Sequence, residues 1–276
     1  MRAAMQFPAM NRRLTIRAAF LCVVSMAVAC RRHAPSASHE NGRNPASPAV
    51  ELRVAAASSL SGTVEALGEA YARTAAVRIT PVFGATGALA RQIEQGLPAD
   101  LFLSADTETP ARLAAGGHLA ADTVAPFARG VLVLFARSDG PIPIHSLAAL
   151  SNPAVRRIAI ANPEHAPFGR AAREALTRTA QWDALSPRIV MSENVREAFE
   201  FARTGNVDAA LTARSVVLGA AGVVTDIDPT LYSPITESLG VFSHSEHPAE
   251  ARAFAAFVRS AAGGAVLTAH GFAPAP

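Results

Sequence analysis

Lysine is absent from this chain of 276 residues, and cysteine nearly so. All 25 basic side chains are therefore arginine. Without lysine there is neither a Schiff-base amine nor a phosphate loop of the GxxxxGK[ST] kind. The two cysteines, Cys22 and Cys30, both fall within the first 30 residues. The remainder holds no thiol, which excludes a disulfide framework or a thiolate metal site there. Positive charge is also scarcer than the formal net of +3 suggests. Arg2, Arg12, Arg13 and Arg17 lie in an opening stretch without acids, and from residue 50 onward 18 basic residues face 21 acidic ones. A body of net charge about −3 cannot be steered onto a polyphosphate, so nucleic acid is not an expected partner. Half of the residues are hydrophobic, enough to bury a sizeable core.

The opening segment carries an address. Arg12 and Arg13 precede an unbroken apolar run from Ala18 to Ala29. Twelve residues are too few for a membrane-spanning helix, which needs about 20, but they suit the core of an export signal. The run ends in Ala27-Val28-Ala29-Cys30, small residues ahead of a cysteine, similar to the lipobox of bacterial lipoproteins apart from Ala27, where leucine is usual. Residues 1–30 are therefore expected to be a signal peptide with Cys30 as the lipid attachment point. Plain cleavage near Ala29 is the alternative, and Met10 is an alternative start to Met1. Residues 31–49, rich in Pro, Ser, Ala and Asn with no apolar period, read as a flexible tether in which His33 and His39 are solvated.

From Glu51 on, short apolar runs alternate with helical patterns. Strands are expected at 52–57, 78–83, 100–104, 130–137, 157–161, 188–191, 209–211 and 239–242. Helices are expected at 61–74, 88–95, 110–115, 169–179, 195–204 and 248–261. Such alternation predicts an α/β fold built from parallel β-α-β units, with enough elements for two lobes.

Ligands of open parallel sheets bind beyond the carboxyl ends of strands, where helix N-termini offer free N–H groups and a positive dipole end. Four junctions have suitable residues: Ser58-Ser59-Leu60-Ser61-Gly62, Gly84-Ala85-Thr86-Gly87, Asn162 to Gly169 with Pro167 before the first helical turn, and Ser192-Glu193-Asn194-Val195. None carries a GxGxxG or GxSxG pattern. Local chemistry leaves ordinary caps and an anion site as alternatives.

The stretches VAAASSL (54–60), FGATGALARQIEQGLPADLFLSAD (83–106), ANPEHAPFGRAAREAL (161–176), WDALSP (182–187) and ENV (193–195) resemble the periplasmic molybdate-binding proteins of ABC importers. The resemblance runs from about Leu52 to Phe272. It implies the two-lobed type II periplasmic binding protein fold, each lobe a mostly parallel sheet flanked by helices. Lobe 1 would comprise 50–129 and 236–276, and lobe 2 130–235. It further implies capture of molybdate or tungstate in the cleft, delivery to a membrane permease, a periplasmic location, a monomer and no enzymatic activity. By position Ser59 matches a hydroxyl ligand, with Ser58 beside it as a further contributor, and Thr86 matches a second hydroxyl. Phe168 and Val195 match backbone N–H donors. Two departures are Phe168 itself, where relatives carry Ala or Tyr, and Ala213, where some place a tyrosine. No cofactor is implied, and molybdenum would enter only inside its oxyanion, touched through its oxygens.

Other residues admit simpler roles. Arg91 is expected to be a surface or lobe-stabilising partner rather than an anion contact, Asp106 a helix cap and Trp182 a packing residue. His165 could serve a secreted serine hydrolase with Ser59, but no third orienting group or oxyanion hole is apparent. A receptor for another oxyanion such as sulfate is the nearer alternative. Phosphate is disfavoured because no Asp to accept its proton lies in the four loops.

Overall fold

The computed structural model describes residues 50–140 and 142–276. The expected signal peptide, the tether and Cys30 lie outside the described residues.

Two sheets carry the molecule. The strands, in chain order, are β1 (Val50–Ala57), β2 (Val77–Gly84), β3 (Leu101–Ser104), β4 (Ala125–Gly130), β5 (Leu132–Ala136), β6 (Ile158–Ala161), β7 (Ile189–Ser192), β8 (Ala209–Ala213), β9 (Val223–Asp226), β10 (Ile235–Val241) and β11 (Ala273–Pro274). The helices are α1 (Thr63–Ala72), α2 (Thr86–Glu94), α3 (Glu108–Ala115), α4 (Pro167–Arg178), α5 (Trp182–Leu185), α6 (Val195–Arg203), α7 (Arg214–Val217), α8 (Pro248–Val258) and α9 (Ala261–Ala269). One sheet has the order β11-β4-β10-β3-β1-β2 and the other β7-β6-β8-β5-β9.

The sheets are more mixed than the alternation of strands and helices implies. β1 pairs in parallel with β2 and β3, and β6 with β7 and β8. β10, β4, β11, β5 and β9 all join antiparallel. The reason lies in the chain's two passages between the sheets. Gly130 ends β4 and Leu132 opens β5, so the run GVLVLFAR, expected as one strand, is divided between the two sheets. The return passage follows β9 and enters β10. β5 and β10, which arrive from the other sheet without a helical crossover, run against their new neighbours, and β9, β4 and β11 pair antiparallel with these strands or with one another. At the first passage the Leu132 N–H donates to the Tyr232 hydroxyl at 3.3 Å, tying the outgoing chain to the returning one.

Packing explains the helices. In α6 the buried Val195, Ala198, Phe199 and Ala202 recur at spacings of three and four and face the second sheet, while the intervening charged residues face outward. In α4, Pro167 occupies the first turn, where its missing N–H is not needed. Ala171, Ala172, Ala175 and Leu176 are buried behind it. The expected closing helix 248–261 is two helices, because the Ser260 hydroxyl accepts from Gly263 N–H and starts α9 afresh.

Register in the parallel pairs brings strand ends together. Ala57 lies opposite Gly84 and Ala56 opposite Leu103, so β1, β2 and β3 end together. Ala161 lies opposite Ser192, so β6 and β7 also end together. α4 then starts so close to the end of β6 that a Cβ on Gly169 would lie 2.1 Å from the Ala161 carbonyl oxygen. Gly169→Ala is expected to lower stability by about 2–3 kcal/mol through backbone displacement. Chemical denaturation checks this; an unchanged midpoint would remove the close approach.

Candidate functional site

The ends of these strands converge on one small cavity. From the first sheet's side it is lined by Ala57, Ser58 and Ser59 after β1, by Gly84, Ala85 and Thr86 after β2, and by Ala105 after β3. From the other side come Ala166, Pro167 and Phe168 at the start of α4, and Asn194 and Val195 at the start of α6. No charged side chain lines it among the described residues. Ser58, Ser59, Thr86, Phe168 and Val195, the five residues singled out from the sequence, are thus all brought together, and each is buried.

The helix starts leave donors free. The first N–H groups of a helix have no intrahelical acceptor. Among the described residues no side chain caps α2 or α4. In α6 the Asn194 side chain accepts from the N–H groups of Arg196 and Glu197, which leaves that of Val195 uncapped. The N-termini of α2, α4 and α6 therefore surround the cavity, each adding the positive end of its dipole.

The hydroxyls are held from behind. Thr86 Oγ1 accepts from the Ala105 N–H at 3.1 Å, so its own hydrogen is free for the cavity. Ser59 differs: its Oγ lies 3.2 Å from Oε1 of Glu237, a carboxyl from β10 that is wholly buried. Among the described residues Glu237 Oε2 has no hydrogen-bond partner. The Phe168 ring points away from the donors towards Gly130, where a Cβ would meet Cζ at 2.5 Å. The large side chain at 168 is therefore accommodated by a glycine on β4, and its backbone remains at the cavity.

The cleft is closed by bonds between the two sides. Gly87 N–H donates to the His165 carbonyl at 2.9 Å, and the Ser215 hydroxyl donates to the Ser59 carbonyl at 2.5 Å. Arg196 Nη1 donates to Ser61 Oγ at 3.1 Å. Arg170 pairs with Asp106 at 2.9 Å, and the other Asp106 oxygen accepts from Thr109 N–H in the first turn of α3. The space between these residues is small, suited to a compact polar group rather than an extended substrate.

The body that holds this cavity matches one family. Residues 52–273 match the model of the bacterial extracellular solute-binding proteins. The chain belongs to that family. The molybdate-binding protein ModA of Mycobacterium tuberculosis is 30% identical over 255 residues, spanning 91% of this chain and 94% of its relative. That of Rhodobacter capsulatus is 29% identical over 211 residues, 76% of this chain and 83% of the other. The structure of the Azotobacter vinelandii periplasmic molybdate-binding protein superposes with a TM-score of 0.78 at 26% identity, over 82% of this chain and all of that one. The family resemblance and the two-sheet α/β fold read from the sequence are thereby borne out.

The remaining expectations for this solute-binding protein concern single residues. Arg91 does not line the cavity; its Nη1 lies 3.3 Å from His165 Nδ1 in an adjoining outer pocket that shares Gly84, Ala85 and Asn194 with it. Asp106 does cap α3. Trp182 packs against the core. Ser59 is bonded to Glu237 rather than His165, so no Ser–His pair forms here. Among the described residues no group of acids and histidines is arranged to hold a metal ion. Glu237 was not singled out from the sequence. The one available signal was a carboxylate within the otherwise weakly polar strand ITESLGV.

Burial pushes the Glu237 carboxyl well above the usual carboxylate range. The Ser59 hydrogen bond opposes this and the nearby Asp106 adds to it. An unfolded glutamate loses its proton near pH 4.3, whereas the folded protein keeps it. The unfolded state then binds fewer protons, so stability falls as pH rises from about 4.3 to the raised native value. Glu237→Gln removes this loss. Its stability relative to wild type is expected to rise by up to about 1.4 kcal/mol per pH unit above pH 4.5. Urea unfolding at pH 4 to 7 measures it, and parallel profiles would show that Glu237 is ionised in the native state.

Proposed function

We propose that the chain captures molybdate or tungstate outside the cytoplasm and hands it to the permease of an ABC importer. The single observation that carries this reading is the buried cavity in which Ser58, Ser59, Thr86, the uncapped start of α4 and the Val195 N–H left free by the α6 cap converge with no charged side chain among its lining residues. The names of its relatives point to molybdate.

The chemistry is that of an anion held by fixed donors. Ser59 and Thr86 offer hydroxyls, Phe168 and Val195 backbone N–H groups, and Ser58 a further hydroxyl. Hydrogen bonds to an ionised partner contribute about 1.5–3 kcal/mol each. A smaller anion such as sulfate would leave some donors unpaired, each at about 1–3 kcal/mol. Radius then discriminates where charge cannot. No cofactor or resident metal is part of this reading, and neither turnover nor oligomerisation is required.

Location completes the proposal. Among the described residues no helix is long and apolar enough to cross a membrane. Export through residues 1–30 and a lipid on Cys30 would hold the receptor at the periplasmic face beside its permease. Cys30→Ser is expected to shift the protein from the membrane to the soluble fraction; an unchanged distribution would mean the signal is simply cleaved.

Isothermal titration is expected to show one-to-one binding of molybdate and tungstate and none of sulfate or phosphate. Equal sulfate binding would remove the specificity. Ser59→Ala and Thr86→Ala should each weaken molybdate binding by about 1–3 kcal/mol, and unchanged affinity in both would place the ligand elsewhere.

A further inference from the structure

The two hydroxyls at the cavity do not stand in the same position. A serine or threonine has one hydrogen to donate. Thr86 receives a hydrogen bond from behind, from the Ala105 N–H, and keeps its own hydrogen. Ser59 has a carboxyl behind it. Were Glu237 ionised it could only accept, so Ser59 would give its hydrogen backwards and present only lone pairs to an anion. A buried negative charge would stand directly behind them.

We propose that Glu237 is a positioning residue: its carboxyl, as the neutral acid, donates to Ser59 Oγ and thereby turns the Ser59 hydrogen towards the bound oxyanion. This rests on the reading of the cavity as an oxyanion site. Ser59 and Thr86 then act alike, each accepting from behind and donating forward, with a carboxyl in one case where the other uses a backbone N–H.

The surroundings of Glu237 support the neutral acid. Gly130 on β4 lies against it, where a Cβ would sit 3.2 Å from Oε1. Beyond β3, Asp106 contributes a like charge, and the arginine facing that aspartate, Arg170, is bonded to it. α4 brings the Phe168 ring to the same glycine. Among the described residues no basic side chain reaches Glu237 within ion-pair distance. Oε2 is buried without a partner among the described residues. An ionised carboxylate here would have one hydrogen bond for its two oxygens, whereas a neutral acid needs only one acceptor and leaves one carbonyl under-satisfied. A dianion bound on the far side of Ser59 would favour the proton further.

Two measurements on the whole protein test this, with molybdate as the probe. The first is the infrared difference spectrum between wild type and Glu237→Gln at pH 7, in which the carbonyl stretch of a protonated carboxyl is expected in wild type and absent from the variant. The second is calorimetric titration of Glu237→Gln and Glu237→Met. The glutamine amide can donate to Ser59 and the similarly sized methionine cannot, so the glutamine variant is expected to bind at least tenfold more tightly. A purely structural role would leave the two alike, since methionine fills the same space. The proposal is overturned if the carboxyl band is missing, or if the methionine variant binds as tightly as the glutamine one. Should Glu237→Met fail to fold, as its circular dichroism would show, the infrared band decides by itself. Wild type that takes up no oxyanion at all overturns the reading of the cavity; wild-type binding with equal variants overturns only the role of Glu237.

Discussion

A doubly charged anion can leave water only if the protein supplies hydrogens for the lone pairs that water had been filling. A body without lysine, and with no arginine lining the cavity, has to find those hydrogens in backbone N–H groups and hydroxyls. Both are fixed by the fold. The parallel registers that make β1, β2 and β3 end together, and β6 and β7 end together, decide where helices begin. Helix starts in turn decide which N–H groups are left over. On the proposed reading, affinity is thus a property of strand register before it is a property of any side chain.

Closure adds the second requirement, the exclusion of water. The bonds from Gly87 to His165, Ser215 to the Ser59 carbonyl, Arg196 to Ser61 and Arg170 to Asp106 all join the two sides around the cavity. Two use backbone carbonyls of the loops that hold donors, so closing the cleft also stiffens those loops. Each is modest alone; a partly exposed ion pair such as Arg170–Asp106 contributes at most about 1 kcal/mol. Modest latches suit a receptor that must release its cargo, because tight closure without the ligand would oppose entry.

Much of this was legible in the sequence because the information is local. Hydroxyls and glycine at the ends of apolar strands mark Ser58, Ser59, Gly84 and Thr86, Pro167 marks a helix start by its residue type, and Asn194 marks another that it also caps. The division of GVLVLFAR between two sheets was not legible, since every residue in it suits a strand and only the tertiary passage at Gly130 and Leu132 breaks it. Nor was the antiparallel share of both sheets, which depends on where the returning chain docks. Glu237 was the least accessible of all. Its partner, Ser59, lies 178 residues away, and no spacing or cap connects them.

That distant contact changes the account of charge at the site. By its lining residues alone the cavity is neutral, and selectivity by donor geometry follows directly. The residues behind the lining add a carboxyl, which would repel an anion if it were ionised. Desolvation favours the neutral form, and a neutral carboxylic acid is a good hydrogen-bond donor. The burial that would make an ionised glutamate prohibitive therefore converts it into something that supports anion binding. Neutrality of the site then comes partly from composition, in the loops, and partly from a proton, retained on Glu237 by the same low-polarity surroundings that strengthen the donors in front of it.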